Sequence, residues 1–316
     1  MGDFLSLLKQ NLGLCVPPIK KQALSDEQLS LSEVHIHLKG EGLTVLRRNP
    51  SQDGLRFQQF IELLKATLPR VRGKLDCEFI LNMYEGIYEP VTAARFAYTA
   101  KPNAGHILIP DSHCFEAARK ISLLKQDDIL FQDKRRGAIF AGSDTGARHS
   151  DGWTMRSLVS ATYKNSPIVN SKLTYLDSDT EKRLAGKIDV AEIYSPPVGM
   201  YYQLDYQIIL NINGNSTSWE RLLWAMASNS LCVFVKPFDG EEMYSWYYPL
   251  MESLGVCPYV EYDRLEEFIY NNDFSSDYWQ EKIKQQKIFA EFVGSLDTQT
   301  QFFANILDEY NTIYNS

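Results

Sequence analysis

No run in this sequence approaches the ~18 consecutive apolar residues of a membrane-crossing helix, so no transmembrane segment is expected. A secretory leader is not expected either. The opening MGDFLSLLKQNLGLCV is a short amphipathic helix candidate, without a basic start or a long apolar centre. Cysteines are few: Cys15, Cys77, Cys114, Cys232 and Cys257 are scattered, odd in number and never spaced C-x-x-C. This is no disulfide framework, and it suits a reducing compartment. Cys77, Cys232 and Cys257 lie in apolar contexts and read as small core residues. Basic charge is also scarce. Lys and Arg number 32 against 40 Asp and Glu, a net charge of −8. That disfavours a general nucleic-acid or anionic-membrane role, while a local basic pocket stays open. There is no GxxxxGK[ST], no GxSxG, no HExxH, no internal repeat and no low-complexity linker.

What is present is a long chain with core-forming composition. Its 316 residues are 44% hydrophobic and 12% aromatic, enough for two domains of ordinary size. Helical and strand patterns alternate. FQQFIELLKATL (57–68) and the stretches 115–125 and 155–163 have helical spacing, whereas CEFILNM (77–83), RFAYT (95–99), HILI (106–109), AIFA (138–141) and 172–176 read as strands. LCVFV (231–235) is apolar throughout, as in a parallel strand buried on both faces. The alternation predicts an α/β fold with mainly parallel sheets. The polar stretch KQDDILFQDKRR (125–136) is the best hinge candidate. The expected organisation is a first half over 1–130, a second half over 131–271, and C-terminal helices over 272–316 that pack back on the first half.

Two loops carry the candidate chemistry. In QIILNINGNSTSWERLL a strand runs into Asn213-Gly214-Asn215-Ser216-Thr217-Ser218, and an apolar helix follows with Arg221 in its first turn. Thr217 and Glu220 stand in capping-box register, which places the helix start near Thr217 or Ser218. A helix N-terminus has unpaired N–H groups and a partial positive charge. Small residues let a ligand approach, and an arginine fork can grip phosphate oxygens. The second loop, AIFAGSDTGARHSDGWTMR, has the same grammar: a strand, then Gly142-Ser143-Asp144-Thr145-Gly146, then Arg148 and Arg156. In a doubly wound sheet both loops face one edge and can cradle a diphosphate. The plainer reading is a helix cap, a glycine turn and solvated arginines. For the first loop, spacing alone does not separate the two readings.

Metal signals are thin. His35 and His37 share one face of a strand with no third ligand near in sequence, the usual mark of a structural pair. Asp177-Ser178-Asp179 is a DxD, but Thr180-Glu181-Lys182 after it fits a helix cap or solvated turn.

The ordered set of segments resembles glycosyltransferase family 90, which includes protein O-glucosyltransferases, fungal capsule xylosyltransferases and bacterial lipopolysaccharide-modifying enzymes. The resemblance covers roughly residues 75 to 312. EFILNMYE (78–85) is similar to the family's EFxxNxxD, HILIPD (106–111) to its next segment, and GSDTG to its GS-x-T loop. NGNSTSxxR with Ser230-Leu231 one strand later, YSWYYPL (244–250) and CPYV (257–260) are similar to its donor-site region. Two departures stand out: Glu85 occupies the position of the family's catalytic Asp, and the family's His before Tyr259 is replaced.

The resemblance implies an α/β fold of GT-B type, with two Rossmann-like domains and the active site in the cleft between them. It implies an inverting, metal-independent glycosyltransferase that moves xylose or glucose from a UDP-sugar to a glycan hydroxyl, with a β-linked product. No cofactor or metal is then expected; the partners are the UDP-sugar donor and a glycan or oligosaccharide acceptor. Glu85, with Asp111 in reserve, is the expected catalytic base. Gly142, Ser143, Thr145, Arg148 or Arg156, Asn213, Gly214, Ser216, Thr217, Ser218 and Arg221 are the expected donor-binding residues. Without the secretory features of eukaryotic members, a cytoplasmic enzyme of bacterial or viral type is expected. The alternatives are an inactive nucleotide-sugar or glycan-binding protein, suggested by the two departures, and a metal-dependent transferase using Asp177 and Asp179.

Overall fold

The computed structural model describes residues 29, 33–48, 54–83, 95–101, 104–124, 129–176 and 178–316. Glu85, Asp177, Cys15, the N-terminal amphipathic stretch and part of the 125–136 hinge candidate lie outside them. The fold is mixed α/β, with two five-stranded sheets and helices. The chain divides into two compact units. Unit 1 comprises Met1–Ala118, Met243–Leu250 and Val293–Ser316; unit 2 comprises Arg119–Glu242 and Met251–Phe292.

Unit 2 holds strands β6 (Arg135–Ser143), β7 (Val169–Tyr175), β8 (Tyr206–Asn211), β9 (Leu231–Val235) and β10 (Tyr259–Val260). They are parallel throughout, in the order β10-β9-β8-β6-β7. All five residues of LCVFV are buried, as a parallel strand covered on both faces requires. From β6 the chain steps to one side to make β7, then returns to the other side of β6 for β8, β9 and β10. The topological switch point therefore falls between β6 and β8. Such a crevice at the carboxyl ends of the strands is where open α/β sheets bind ligands. Phe140, Val159, Ile208, Leu210 and Val233 belong to one core beneath it. Gln286 ties the sheet to a covering helix: its side chain accepts from Cys232 N at 2.9 Å and donates to Cys232 O at 2.8 Å.

Sheets expected to be mainly parallel include, in unit 1, one of mixed pairing. Strands β3 (Asp76–Asn82), β4 (Arg95–Ala97) and β5 (His106–Leu108) are parallel neighbours. The edge is an antiparallel hairpin of β1 (Glu33–Lys39) and β2 (Gly42–Arg48), with β1 also antiparallel to β3. The physical reason is the connection. Two residues, 40–41, join β1 to β2, and only antiparallel strands can be joined by so short a turn.

Helices α1 (Gly54–Thr67) and α11 (Leu296–Tyr314) belong to this unit. Phe60, Phe79, Phe96, Phe303 and Tyr310 form a ring cluster, with Phe79 stacked on Phe96 at 4.5 Å. The Tyr310 hydroxyl donates to Glu78 O at 2.6 Å. Residues 243–250 join through an antiparallel bridge between Ala100 and Tyr244, and Trp246 stacks on Phe302 at 4.4 Å.

Alternation along the strands gives the other face of this sheet a buried polar set. Arg95 Nε donates to Glu33 Oε1 at 2.7 Å, and Asn82 Nδ2 donates to the same oxygen at 3.1 Å. His35 and His37 each meet a carboxylate of β3, Glu78 at 3.0 Å and Asp76 at 2.9 Å. His106 is buried beside Arg95, and among the described residues neither ring nitrogen meets a partner in good hydrogen-bond geometry, the Ala104 backbone lending only weak support.

Burial, aided by the Arg95 charge, lowers the pKa of His106 from 6.5 to about 4. The folded state thus holds the ring neutral, while the unfolded chain takes up a proton below pH 6.5. The stability this confers is complete above pH 6.5 and is lost as pH falls through about 4. The expected loss is about 3 kcal/mol across that window. Urea titrations at a series of pH values check it, and His106→Leu is expected to remove that part of the slope.

Candidate functional site

Two parallel neighbours deliver both candidate loops to one edge. β6 ends at Ser143, and residues 144–154 lead into α3 (Met155–Thr162). Its N-cap is Thr154, which forms a capping box with Ser157. β8 ends at Asn211, and residues 212–218 lead into α7 (Trp219–Ala227). The loops are stitched together. Gly146 N donates to Asn215 Oδ1 at 2.9 Å.

Arg156 makes the main link. Its Nε and Nη2 both donate to Ile212 O, at 3.1 and 3.0 Å, while Nη1 donates to Ser143 O at 3.0 Å and Thr145 Oγ1 at 2.7 Å. Gly214 makes this approach possible: a Cβ there would lie 2.6 Å from Thr145 Oγ1 and 2.9 Å from Arg156 Nη2. Gly214→Ala is therefore expected to destabilise by about 1–3 kcal/mol, the cost of overpacking. Chemical denaturation measures it, and an unchanged midpoint would mean that the loops part freely.

Arg221 sits in the first turn of α7. Its Nη1 donates to Gln203 Oε1 at 2.8 Å, and its Nη2 donates to Ala141 O on β6. The Phe140 ring lies between the two arginines, 5.3 Å from the Arg221 guanidinium carbon and 5.4 Å from that of Arg156. Gly142 keeps this space open, since a Cβ there would meet the Phe140 ring at 2.9 Å. Burial lowers the pKa of Arg221 to about 10, which leaves it cationic at neutral pH. Both of its hydrogen-bond acceptors are neutral, and the residue remains partly exposed. The nearest carboxylate acting on it, Glu220, is held by Lys120, so no side-chain carboxylate is hydrogen-bonded to the guanidinium.

The expected site residues divide. Gly142, Ser143, Thr145, Arg156, Gly214 and Arg221 come together here. The Ser143 hydroxyl is half-exposed and makes no hydrogen bond within the described residues. Arg148 does not join them; it is exposed and ion-paired with Asp179, the described half of the DxD. Ser216 and Ser218 are buried, and their hydroxyls donate to backbone carbonyls of Thr217 and Ile212. Thr217 is buried too, and Asn213 Oδ1 faces Asn211 Nδ2 at 3.5 Å.

The capping box expected at Thr217 and Glu220 is not formed. The cap of α7 is Ser218, without a side-chain cap bond, and Glu220 accepts from Lys120 Nζ at 2.9 Å instead. A long-range ion pair has taken the carboxylate that a local cap needed. Ser230 lies before the amino end of β9, and its hydroxyl donates to Tyr206 O at 2.7 Å. Asp111 follows β5 in unit 1; it is buried, and its Oδ1 accepts from His113 N at 2.7 Å.

Several residues of the site had no assigned role in sequence. Asn215 and Asp144 sit inside the two loops themselves. The Asp144 carboxylate is wholly buried, held by Arg183 and the Thr154 hydroxyl. Gln203 and Phe140 gave no local signal of their contacts with Arg221. Among the described residues no group of three or more His, Cys, Asp or Glu is arranged to hold a metal, and no helix is long and apolar enough to cross a membrane.

No protein-family model matches the chain, and no curated protein matches it.

Proposed function

We propose that this chain is an inverting, metal-independent glycosyltransferase that uses a UDP-sugar, with UDP-xylose or UDP-glucose as donor. One observation carries the reading. Two small-residue loops meet at the switch point of a parallel sheet, beside a partly exposed Arg221 whose hydrogen-bond acceptors are neutral. Breaking the bond between sugar and diphosphate develops negative charge on the leaving group. Arg221, the Ser143 hydroxyl and the N-terminus of α7 are the groups to stabilise it, and preorganised donors of this kind supply much of such catalysis. Arg156 ties the two loops together through Ile212 O, Ser143 O and Thr145 Oγ1, which supports a preformed site.

In an inverting displacement the acceptor oxygen attacks the anomeric carbon from the face opposite the diphosphate. The carbon–oxygen bond to phosphate breaks, and the acceptor proton passes to a carboxylate. Glu85 is the proposed base, with Asp111 in reserve. The same reading takes the two units as the halves of a GT-B enzyme, unit 1 on the acceptor side. The departure at Glu85 keeps a second reading in play, a nucleotide-sugar-binding protein without turnover.

One experiment separates the readings. Calorimetry with UDP, UDP-xylose, UDP-glucose and a GDP-sugar is combined with an assay of UDP release, with and without acceptor sugars. Binding of UDP and one UDP-sugar, with slow UDP release, is expected. Binding without release across the donors favours the second reading, and no binding of any nucleotide removes both.

A further inference from the structure

Unit 2 has a second concave feature, at the opposite edge of its sheet. A cleft of about 790 Å³ opens beside the amino ends of β6 and β8, between those strands and residues 270–275, the end of helix α9 (Leu265–Asn271) and the turn after it. β6 is nine residues long. At ~3.3 Å per residue it separates this cleft from the switch-point loops by about 26 Å. No ligand unit bound at those loops reaches it.

The lining is unusual in kind. Its floor is apolar, the buried rings of Phe131 and Phe274 lying 6.4 Å apart. Amides dominate its polar rim. Gln207 and Gln280 are pinned by their nitrogens, which donate to Phe131 O at 3.3 Å and Phe274 O at 2.8 Å. Their carbonyl oxygens are thereby held in place as acceptors. Gln132, Arg136 and Asn271 are exposed, and their side chains make no hydrogen bond within the described residues. Tyr270 is 57% exposed, and among the described residues no other ring stacks on it. The one cation, Arg136, is balanced by one carboxylate, Asp273.

These features select a ligand class. A phosphate-rich chain needs a surplus of cations, and the cleft has none. A peptide that adds as a strand needs a free sheet edge, and β6 and β8 are interior strands. A neutral sugar chain fits. Each hydroxyl is both donor and acceptor, which an amide matches with its own donor and acceptor. The C–H face of a sugar ring is apolar and suits an open aromatic ring.

We infer that this cleft binds a neutral oligosaccharide, at a site separate from the switch-point loops. Beside the nucleotide-sugar reading it is an anchor for a distal part of the acceptor. By itself it is a glycan-binding site and needs no turnover.

The test titrates the whole chain with neutral tri- to hexasaccharides of the xylo-, gluco-, manno- and galacto- series, by calorimetry and saturation-transfer NMR. Saturable binding of at least one series is expected. Tyr270→Ala and Asn271→Ala are each expected to weaken it about tenfold, with UDP binding unchanged. Both positions are exposed, and thermal denaturation verifies that the variants fold. No binding by any series overturns the proposal. So does binding that both variants leave intact, or a peptide or single-stranded RNA that binds with the same dependence on Tyr270. The two readings fail separately: loss of the nucleotide reading leaves oligosaccharide binding in place, and loss of the cleft leaves UDP binding in place.

Discussion

Arg156→Ala is expected to destabilise the protein by about 2–4 kcal/mol, the scale of hydrogen bonds lost from a charged group. The side chain is 9% exposed and reaches three acceptors: Ile212 O, Ser143 O and Thr145 Oγ1. Truncation takes the guanidinium from two carbonyls, leaving Ile212 O with Ser218 Oγ and Ser143 O with Thr145 N as donors, and from the face of Phe140. Both terms act in the same direction. At roughly 2–4 °C per kcal/mol for a unit of this size, the melting temperature falls by about 10 °C. Arg156→Lys is expected to recover only a minor part, because one ammonium cannot reproduce a planar fork that serves three acceptors. Differential scanning calorimetry and urea denaturation measure it. A loss below about 1 kcal/mol would show that the loops keep their places without this residue.

Arg221→Ala is expected to act on function more than on stability. If its charge faces the diphosphate, UDP binding weakens strongly and transfer falls by about 10²–10³, the usual effect of losing one preorganised donor. Its structural contacts are fewer than those of Arg156, one side-chain amide and one carbonyl. A control isolates the structural share. Gln203→Ala removes the partner of Nη1 while leaving the charge in place. Calorimetry with UDP is expected to find Gln203→Ala close to the parent and Arg221→Ala far weaker. Equal weakening in the two variants would make Arg221 a strut between helix and strand and would sink its assignment to the diphosphate.

Several parts of this structure were legible as local pattern. The stretch 57–68 became a helix over 54–67, and CEFILNM became β3 to within one residue at each end. The run into GSDTG and the run into NGNSTS were both read as strand, loop and helix, and both are. Helical period, strand burial and turn chemistry act over a few residues, so a few residues reveal them. In the aromatic stretch YSWYYPL, Trp246, Tyr247 and Tyr248 are buried, as large rings usually are. The capping box failed for the opposite reason. Lys120, 100 residues away, competes for Glu220, and no local window contains it.

The amino-acid sequence on its own determined the α/β class, the two small-residue loops and the presence of an arginine beside each. These follow from propensity and periodicity, which the chain carries at every position. Folding decided which of those residues meet. It chose Arg156 over Arg148, because the carbonyl that receives Arg156 belongs to Ile212, 56 residues further on. It set β8 against β6 and so brought the loops to one edge. It turned the Ser216 and Ser218 hydroxyls inward to backbone carbonyls, and it made the edge of unit 1 a hairpin. Hydrogen-bond partners are selected by distance in space, and that distance exists only once remote segments have packed.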